Sequence, residues 1–192
     1  MLRNKLQEYQ RCEWCEKDDL YRTYHDTEWG TPNYEDSIFF EFLILEGFQA
    51  GLSWYTILKR RENFRHALDN FDYRKIAHYT PEKIESLMHD EGIVRNRLKI
   101  NATVNNARHF MKIQEEWGSF SNYIWSFTDH KIIDKCPKSV KEIPATDELS
   151  DKISKDLKKR GFKFVGSTII YAFLQAMGII NDHTEYCLTR KK

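Results

Sequence analysis

Apolar positions recur at helical spacing along most of the chain, and one stretch breaks the amphipathic rule. Residues 38 to 48 read Ile-Phe-Phe-Glu-Phe-Leu-Ile-Leu-Glu-Gly-Phe, which is apolar on nearly every face and predicts a helix buried all round. Asp36 or Ser37 is placed to cap it, and Gly47 and Gly51 bound its end. Glu46 is thereby drawn out of water at the end of an apolar run. A buried carboxylate without a partner is costly, and a cleft with a specific polar target is one reason to accept the cost.

The remaining pattern is also helical. Ser53 caps a helix carrying Trp54, Ile57 and Leu58, basic at Lys59, Arg60 and Arg61, and further turns follow through Phe64, Ala67, Leu68 and Phe71. Thr80-Pro81-Glu82 is a strong helix start, with Ile84, Leu87 and Met88 behind it and a stop at Gly92. A long helix over Asn96 to Glu116 presents Leu98, Ile100, Val104, Ala107, Phe110 and Ile113 as its apolar face. Ser121 is placed to cap a short helix through Tyr123, Ile124, Trp125 and Phe127. Another helix runs from Asp147 to Gly161 through Leu149, Ile153 and Leu157, and Gly166-Ser167 opens a last one over Thr168 to Gly178. Residues 1 to 10 are polar, either frayed or a short helix, and residues 128 to 145 read as loop. Residues 11 to 30 are aromatic, polar and aperiodic, the profile of a functional segment laid over a scaffold. No segment alternates as a strand, so the class is all-α.

A chain of 192 residues can form one substantial core or two lobes sharing a cleft. Five Trp, ten Tyr and twelve Phe require either that core or something flat to stack on. The formal charge of +1 hides two basic clusters, one of Lys155, Lys158, Lys159, Arg160 and Lys163, the other of Arg95, Arg97 and Lys99. Each suits an anion or a solvated helix face. No run of 18 apolar residues occurs and the N-terminus lacks a secretory apolar core, so the expectation is a cytoplasmic protein without a membrane segment. Cys12, Cys15, Cys136 and Cys187 are too few for a disulfide framework, which points to reduced thiols or metal ligation.

Three constellations carry chemistry. The join from Glu91 to Lys99 couples a glycine-containing turn to a helix start among Arg and Lys, an arrangement that aims backbone N–H groups at phosphate. Val94 stands where a helix-hairpin-helix signature has its second glycine, and an ordinary helical hairpin reads similarly. Cys12, His25, His183 and Cys187 make a Cys2His2 set, with Cys12-x-x-Cys15 as a rival pairing. Trp14, Tyr21, Tyr24, Trp29 and Trp54 beside Glu46 suit a flat, cationic, nitrogen-rich ligand, although any one ring could simply fill the core.

With Arg11-Cys12-x-Trp14, Tyr21-x-x-Tyr24-His25-Asp26-x-Glu28-Trp29-Gly30, Leu45-Glu46-Gly47-x-Gln49-Ala50-Gly51-Leu52-Ser53-Trp54, Lys158-Lys159-Arg160-Gly161-Phe162-Lys163-Phe164-Val165-Gly166 and Asn181-Asp182-His183-x-x-x-Cys187 in order, the chain resembles the type I DNA-3-methyladenine glycosylases. The resemblance spans residues 11 to 187. It implies a helix-hairpin-helix DNA glycosylase fold of two helical lobes, with residues 11–192 as a single glycosylase domain behind an N-terminal extension of residues 1–10. It also implies one structural zinc ion held by Cys12, His25, His183 and Cys187, joining the termini, with Cys15 outside the family's ligand set.

The implied activity is monofunctional hydrolysis of the N-glycosidic bond of 3-methyladenine flipped from alkylated double-stranded DNA, by a monomer needing no protein partner. Glu46 and Tyr24 carry over as the catalytic pair, and Trp14, Tyr21, Trp29, Trp54 and Gln49 as base-binding residues. Gly51, Leu52, Gly92, Arg95, Arg97, Lys99 and Lys163 are the expected DNA contacts, with Leu52 either a wedge in the duplex or a core leucine. Leu98 stands where many relatives have glycine, which changes how the backbone approaches phosphate. Whether Glu46 does chemistry or recognition is open. The competing class is a zinc-stapled DNA-binding adaptor that kept the fold and lost catalysis.

Overall fold

The structure, a computed structural model, describes residues 10–191; the expectation for residues 1 to 10 falls almost wholly outside that range. Ten helices are described: α1 (Asp19–Thr27), α2 (Asp36–Gln49), α3 (Trp54–Leu58), α4 (Arg61–Ala67), α5 (Tyr73–Ile76), α6 (Pro81–His89), α7 (Arg97–Trp117), α8 (Phe120–Ser126), α9 (Glu148–Lys159) and α10 (Ser167–Ala176). Two dipeptide strands, β1 (Ile133–Asp134) and β2 (Ile180–Asn181), pair in parallel and pin the otherwise irregular 128 to 145 segment to the chain beyond α10. The protein is thus mostly helical, with that one short ladder inside a region expected to be pure loop.

α2 sits at the centre, as a helix apolar all round must. Every residue from Phe39 to Phe48 is buried, and α2 packs against α3, α7, α8 and α10. The buried side chains form one continuous cluster from Cys12 to Cys187. Phe39, Phe40, Phe110 and Phe120 interlock within it, with Phe110 and Phe120 stacked 4.2 Å apart.

Several helix ends differ from the sequence reading. Asp36 is the first residue of α2 rather than its cap, and Ser37 does not cap it either. The Asp36 carboxylate instead accepts from Phe120 N (3.0 Å) and Ser121 N (2.8 Å), capping α8 from across the core. The local cap of α8 is Ser119, not Ser121. Gly47 lies inside α2, on the side that packs against Phe164. Residues 11 to 30 hold α1, whose cap Asp18 accepts from Tyr21 N at 2.9 Å. The reading missed it because its inward side is aromatic and histidine rather than aliphatic. Caps Ser53 and Thr80 are as expected, and Asn96 and Asp147, expected as helix starts, are the caps of α7 and α9.

Candidate active site

α2 carries two buried carboxylates, and the structure treats them differently. Glu41 accepts from Arg61 Nε (2.6 Å) and Arg65 Nε (3.0 Å), so its charge is compensated. Glu46, 3% exposed, has no hydrogen-bond partner at Oε2 among the described residues. Desolvation alone pushes its pKa up to about 8. A carboxylate left this way at the end of a central helix is a group waiting for a ligand.

Glu46 opens onto a cavity of about 280 Å3 lined by Trp14, Tyr21, Tyr24, Trp29, Gln49, Trp54, Val140, Ile143, Ala172 and Gln175. The structure therefore gathers at one place every residue that the sequence assigned to the base pocket. Trp14 meets Tyr21 and Trp29 edge-on, each at 4.9 Å. Trp54 lies 5.4 Å from Tyr24 and stacks on Phe42 at 5.9 Å, and its Nε1 is a second buried group without a partner. Burial first, then the neighbouring Cys15 and Glu46 charges, push the Tyr21 phenol up to about 12. Tyr24 is raised further, again by burial and then by Glu46. Both phenols therefore stay protonated and able to donate. The surface combines flat rings, one unpaired acceptor and several donors, which suits a planar nitrogen heterocycle carrying positive charge.

Sequence reasoning missed Val140, Ile143, Ala172 and Gln175. The first two come from the aperiodic segment, which gives no signal of where it lands. Gln175 did carry one, as a polar residue near the end of the apolar run Ile169 to Ala176.

A second cavity of about 190 Å3 shares Glu46, Gln49 and Ala172 with the first and continues to Gly51, Leu52 and Thr168. The Gly51 turn, at φ +79°, is open on its Cβ side, and Leu52 is 42% exposed, so it is not a core leucine. The turn is held by Lys99, whose ammonium is buried and donates to Phe48 O (2.9 Å) and Ala50 O (2.6 Å). Lys99 is thus corrected from a phosphate contact to a cap on the carbonyl end of α2.

Gly92 N is likewise engaged, by Asp90 Oδ1 at 2.8 Å, while its carbonyl accepts from Arg60 Nη1 (3.1 Å) and Asn63 Nδ2 (3.3 Å). Arg95, Arg97 and Lys163 are exposed, Arg97 beside Glu85 at 2.7 Å. Leu98 leaves the expected apolar face of α7 and is 73% exposed, lining a shallow groove with Phe164 and Lys163. Of the other basic cluster, Arg160 is tied to Asp156 and Glu116.

Behind the aromatic wall, the ligand atoms of Cys12, His25, His183 and Cys187 all lie within 4.8 Å of one another, and all four residues are buried. Cys187 Sγ is 3.3 Å from both His25 Nε2 and His183 Nδ1. The outer ring nitrogens are held as metal-bound imidazoles require: His25 Nδ1 by Asp26 Oδ1 (2.8 Å), itself clamped by Arg11 Nε, and His183 Nε2 by Trp29 O (3.1 Å). Gly30, at φ +74°, lets His183 approach, since a Cβ there would stand 2.6 Å from its Nε2. The two thiols compete for a single charge. The hydrogen bond with Cys187, and then burial, push Cys12 up. The same bond, against burial and with help from both histidines, holds Cys187 down. A divalent cation would let both ionise, so the donor set fits a metal ion. Cys15 stays outside, its thiol donating to Cys12 O at 3.0 Å and pushed up to about 12 by burial.

Comparison with known proteins follows the same outline. A family model described as methyladenine glycosylase matches residues 14–191. DNA-3-methyladenine glycosylase 1 of Escherichia coli (strain K12) is 46% identical over 178 residues, covering 93% of this chain and 95% of the relative. DNA-3-methyladenine glycosylase of Haemophilus influenzae is 44% identical over 177 residues, covering 92% and 96%. The solved 3-methyladenine DNA glycosylase I of Staphylococcus aureus, described for its recognition of 3-methyladenine, superposes with a TM-score of 0.92 at 37% identity, covering 96% and 98%. An unpaired carboxylate in an aromatic cavity, backed by a buried Cys2His2 group, is thus found in a chain that belongs to the methyladenine glycosylase family.

Proposed function

We propose that this protein excises 3-methyladenine from alkylated double-stranded DNA, hydrolysing the N-glycosidic bond and leaving an abasic site. The observation that carries this reading is Glu46 Oε2, buried in the aromatic cavity without a donor.

Methylation at N3 gives the base a positive charge and weakens its bond to the sugar, so departure needs little proton donation. The flipped base stacks among Trp14, Trp29 and Trp54, with Gln49 at the cavity edge. Glu46 accepts hydrogen bonds from the base edge and, ionised, stabilises its charge. Tyr24 and Tyr21, protonated, donate from the opposite character of group. One such polar contact discriminates by about 1 to 3 kcal/mol against a site that leaves it unpaired. No amine lines the cavity among the described residues, and Lys99 is occupied with carbonyls. The enzyme is accordingly a hydrolase without lyase chemistry, which needs an amine nucleophile.

Gly51 and Leu52, exposed and joined to the base cavity through Gln49, enter the gap left by the flipped nucleotide. Arg95, Arg97 and Lys163 meet phosphates, and the helix-hairpin-helix element lies between α6 and α7. The ion at Cys12, His25, His183 and Cys187 is zinc, one per chain, in a closed structural site that ties the N- and C-terminal segments of one glycosylase domain. The protein acts as a cytoplasmic monomer; no described helix is long and apolar enough to cross a membrane.

Incubation with methylated duplex DNA and chromatography of the released bases tests the reading. It requires free 3-methyladenine and alkali-labile sites in equal yield. Binding to methylated DNA with no base released would identify an adaptor that has lost catalysis.

A further inference from the structure

Gln175 faces the same cavity as Glu46, and its orientation is dictated from behind. Ala172 and Gln175, one turn apart on α10, both line the cavity. Gln175 Nε2 donates to Asp182 Oδ2 at 2.7 Å, and the Tyr171 hydroxyl donates to the same oxygen at 2.6 Å. Asp182 is buried, and a carboxylate held by two donors offers them only acceptors. The Gln175 amide therefore cannot turn over. Its nitrogen must face Asp182, and its carbonyl Oε1, which takes no hydrogen bond among the described residues, is the free end.

The cavity thus holds fixed polar groups of both kinds. Trp54 Nε1 and the two tyrosine hydroxyls donate, Glu46 accepts, and Gln175 adds a neutral acceptor whose direction does not depend on ionisation.

We propose that Gln175 is a specificity-determining residue whose carbonyl oxygen accepts a hydrogen bond from the exocyclic amine of the flipped base, selecting 6-amino over 6-oxo purines. Asp182 acts through Gln175 as a positioning residue. This assignment rests on the proposed base-excision function. A methylated guanine carries a carbonyl oxygen at that ring position, so it would set acceptor against acceptor, and neither group would find a donor in the other. Stacking alone cannot make this distinction, because the two purines present similar faces to a ring.

The test uses duplex DNA treated with dimethyl sulfate, which carries both 3-methyladenine and 3-methylguanine, and quantifies each released base. Gln175→Met keeps the length of the side chain and removes the acceptor. It is expected to lower the ratio of 3-methyladenine to 3-methylguanine release by about tenfold, through kcat/KM for the adenine lesion. Asp182→Asn, which lets the amide reverse, should lower the ratio in part. A fall in both products by the same factor, or an unchanged ratio, overturns the proposal and leaves Gln175 as a brace between α10 and Asp182. Should Gln175→Met fail to fold, the wild-type protein still decides. Free 3-methyladenine must bind more tightly than free 3-methylhypoxanthine, which carries oxygen for the amine and the ring N–H that goes with it, and equal affinities in calorimetry overturn it. Wild-type protein that releases neither base would instead refute the excision reading itself.

Discussion

Glu41 and Glu46 leave the same helix into the same core, and the contrast between them carries the functional argument. Glu41 is answered by two arginines, whereas Glu46 Oε2 has no hydrogen-bond partner among the described residues. The unfolded carboxylate ionises near 4.5, while the folded one holds its proton to about 8. Between those values the native state binds one more proton than the unfolded chain, so Glu46 lowers stability as pH rises through that window. Glu46→Gln removes this penalty. Its stability gain over wild type should be near zero at pH 4.5 and grow by about 1.4 kcal/mol per pH unit up to about pH 8, as read by urea unfolding across that range. Glu46 and the rings around it were legible in the sequence because a charge in an apolar run and a dense aromatic segment are local signals. Val140 and Ile143 were not, because their approach to the cavity is made by tertiary packing alone, while Gln175 showed only as a polar residue near the end of an apolar run.

The helices themselves were legible wherever apolar spacing and a cap coincided, as at Ser53, Thr80 and Asn96. Failures came where an end is fixed from elsewhere. Asp36 looks like a local cap and serves α8 instead, and α2 runs through Gly47 and is closed by Lys99 from α7. Lys99 in a basic cluster reads as a phosphate contact, and only its burial against two carbonyls reveals the other role. That contact joins the first turn of α7 to the turn at Gly51, so the segment proposed to grip DNA and the one proposed to enter it are mechanically linked. Burial also holds the Lys99 pKa below its ordinary value. Lys99→Met strands both carbonyls and should cost about 1 to 3 kcal/mol of unfolding free energy, measured by urea denaturation. A variant as stable as wild type would remove Lys99 from this role.

At the scale of the whole molecule, the first and last described segments of the chain meet at the Cys2His2 group. Gln10 N donates to Tyr186 O, and Leu188 N donates to Gln10 O beside it. Trp29 packs 4.6 Å from the His183 ring and Trp14 lies 5.3 Å from His25, so the wall of the aromatic cavity is also the wall of the Cys2His2 group. Metal analysis of purified protein should find about one zinc per chain, and its removal by a chelator should lower the melting temperature. Protein isolated without bound metal and unaffected by the chelator would contradict that role.

The central claim is that the unpaired carboxylate exists to meet a cationic methylated base, and it is tested most directly by single-turnover excision of 3-methyladenine as a function of pH. Wild-type kcat/KM should rise about tenfold per pH unit as Glu46 ionises and level off above about pH 8. Glu46→Gln should be slower and independent of pH over the same range. Excision by Glu46→Gln at the wild-type rate, with the wild-type pH profile, would contradict the account.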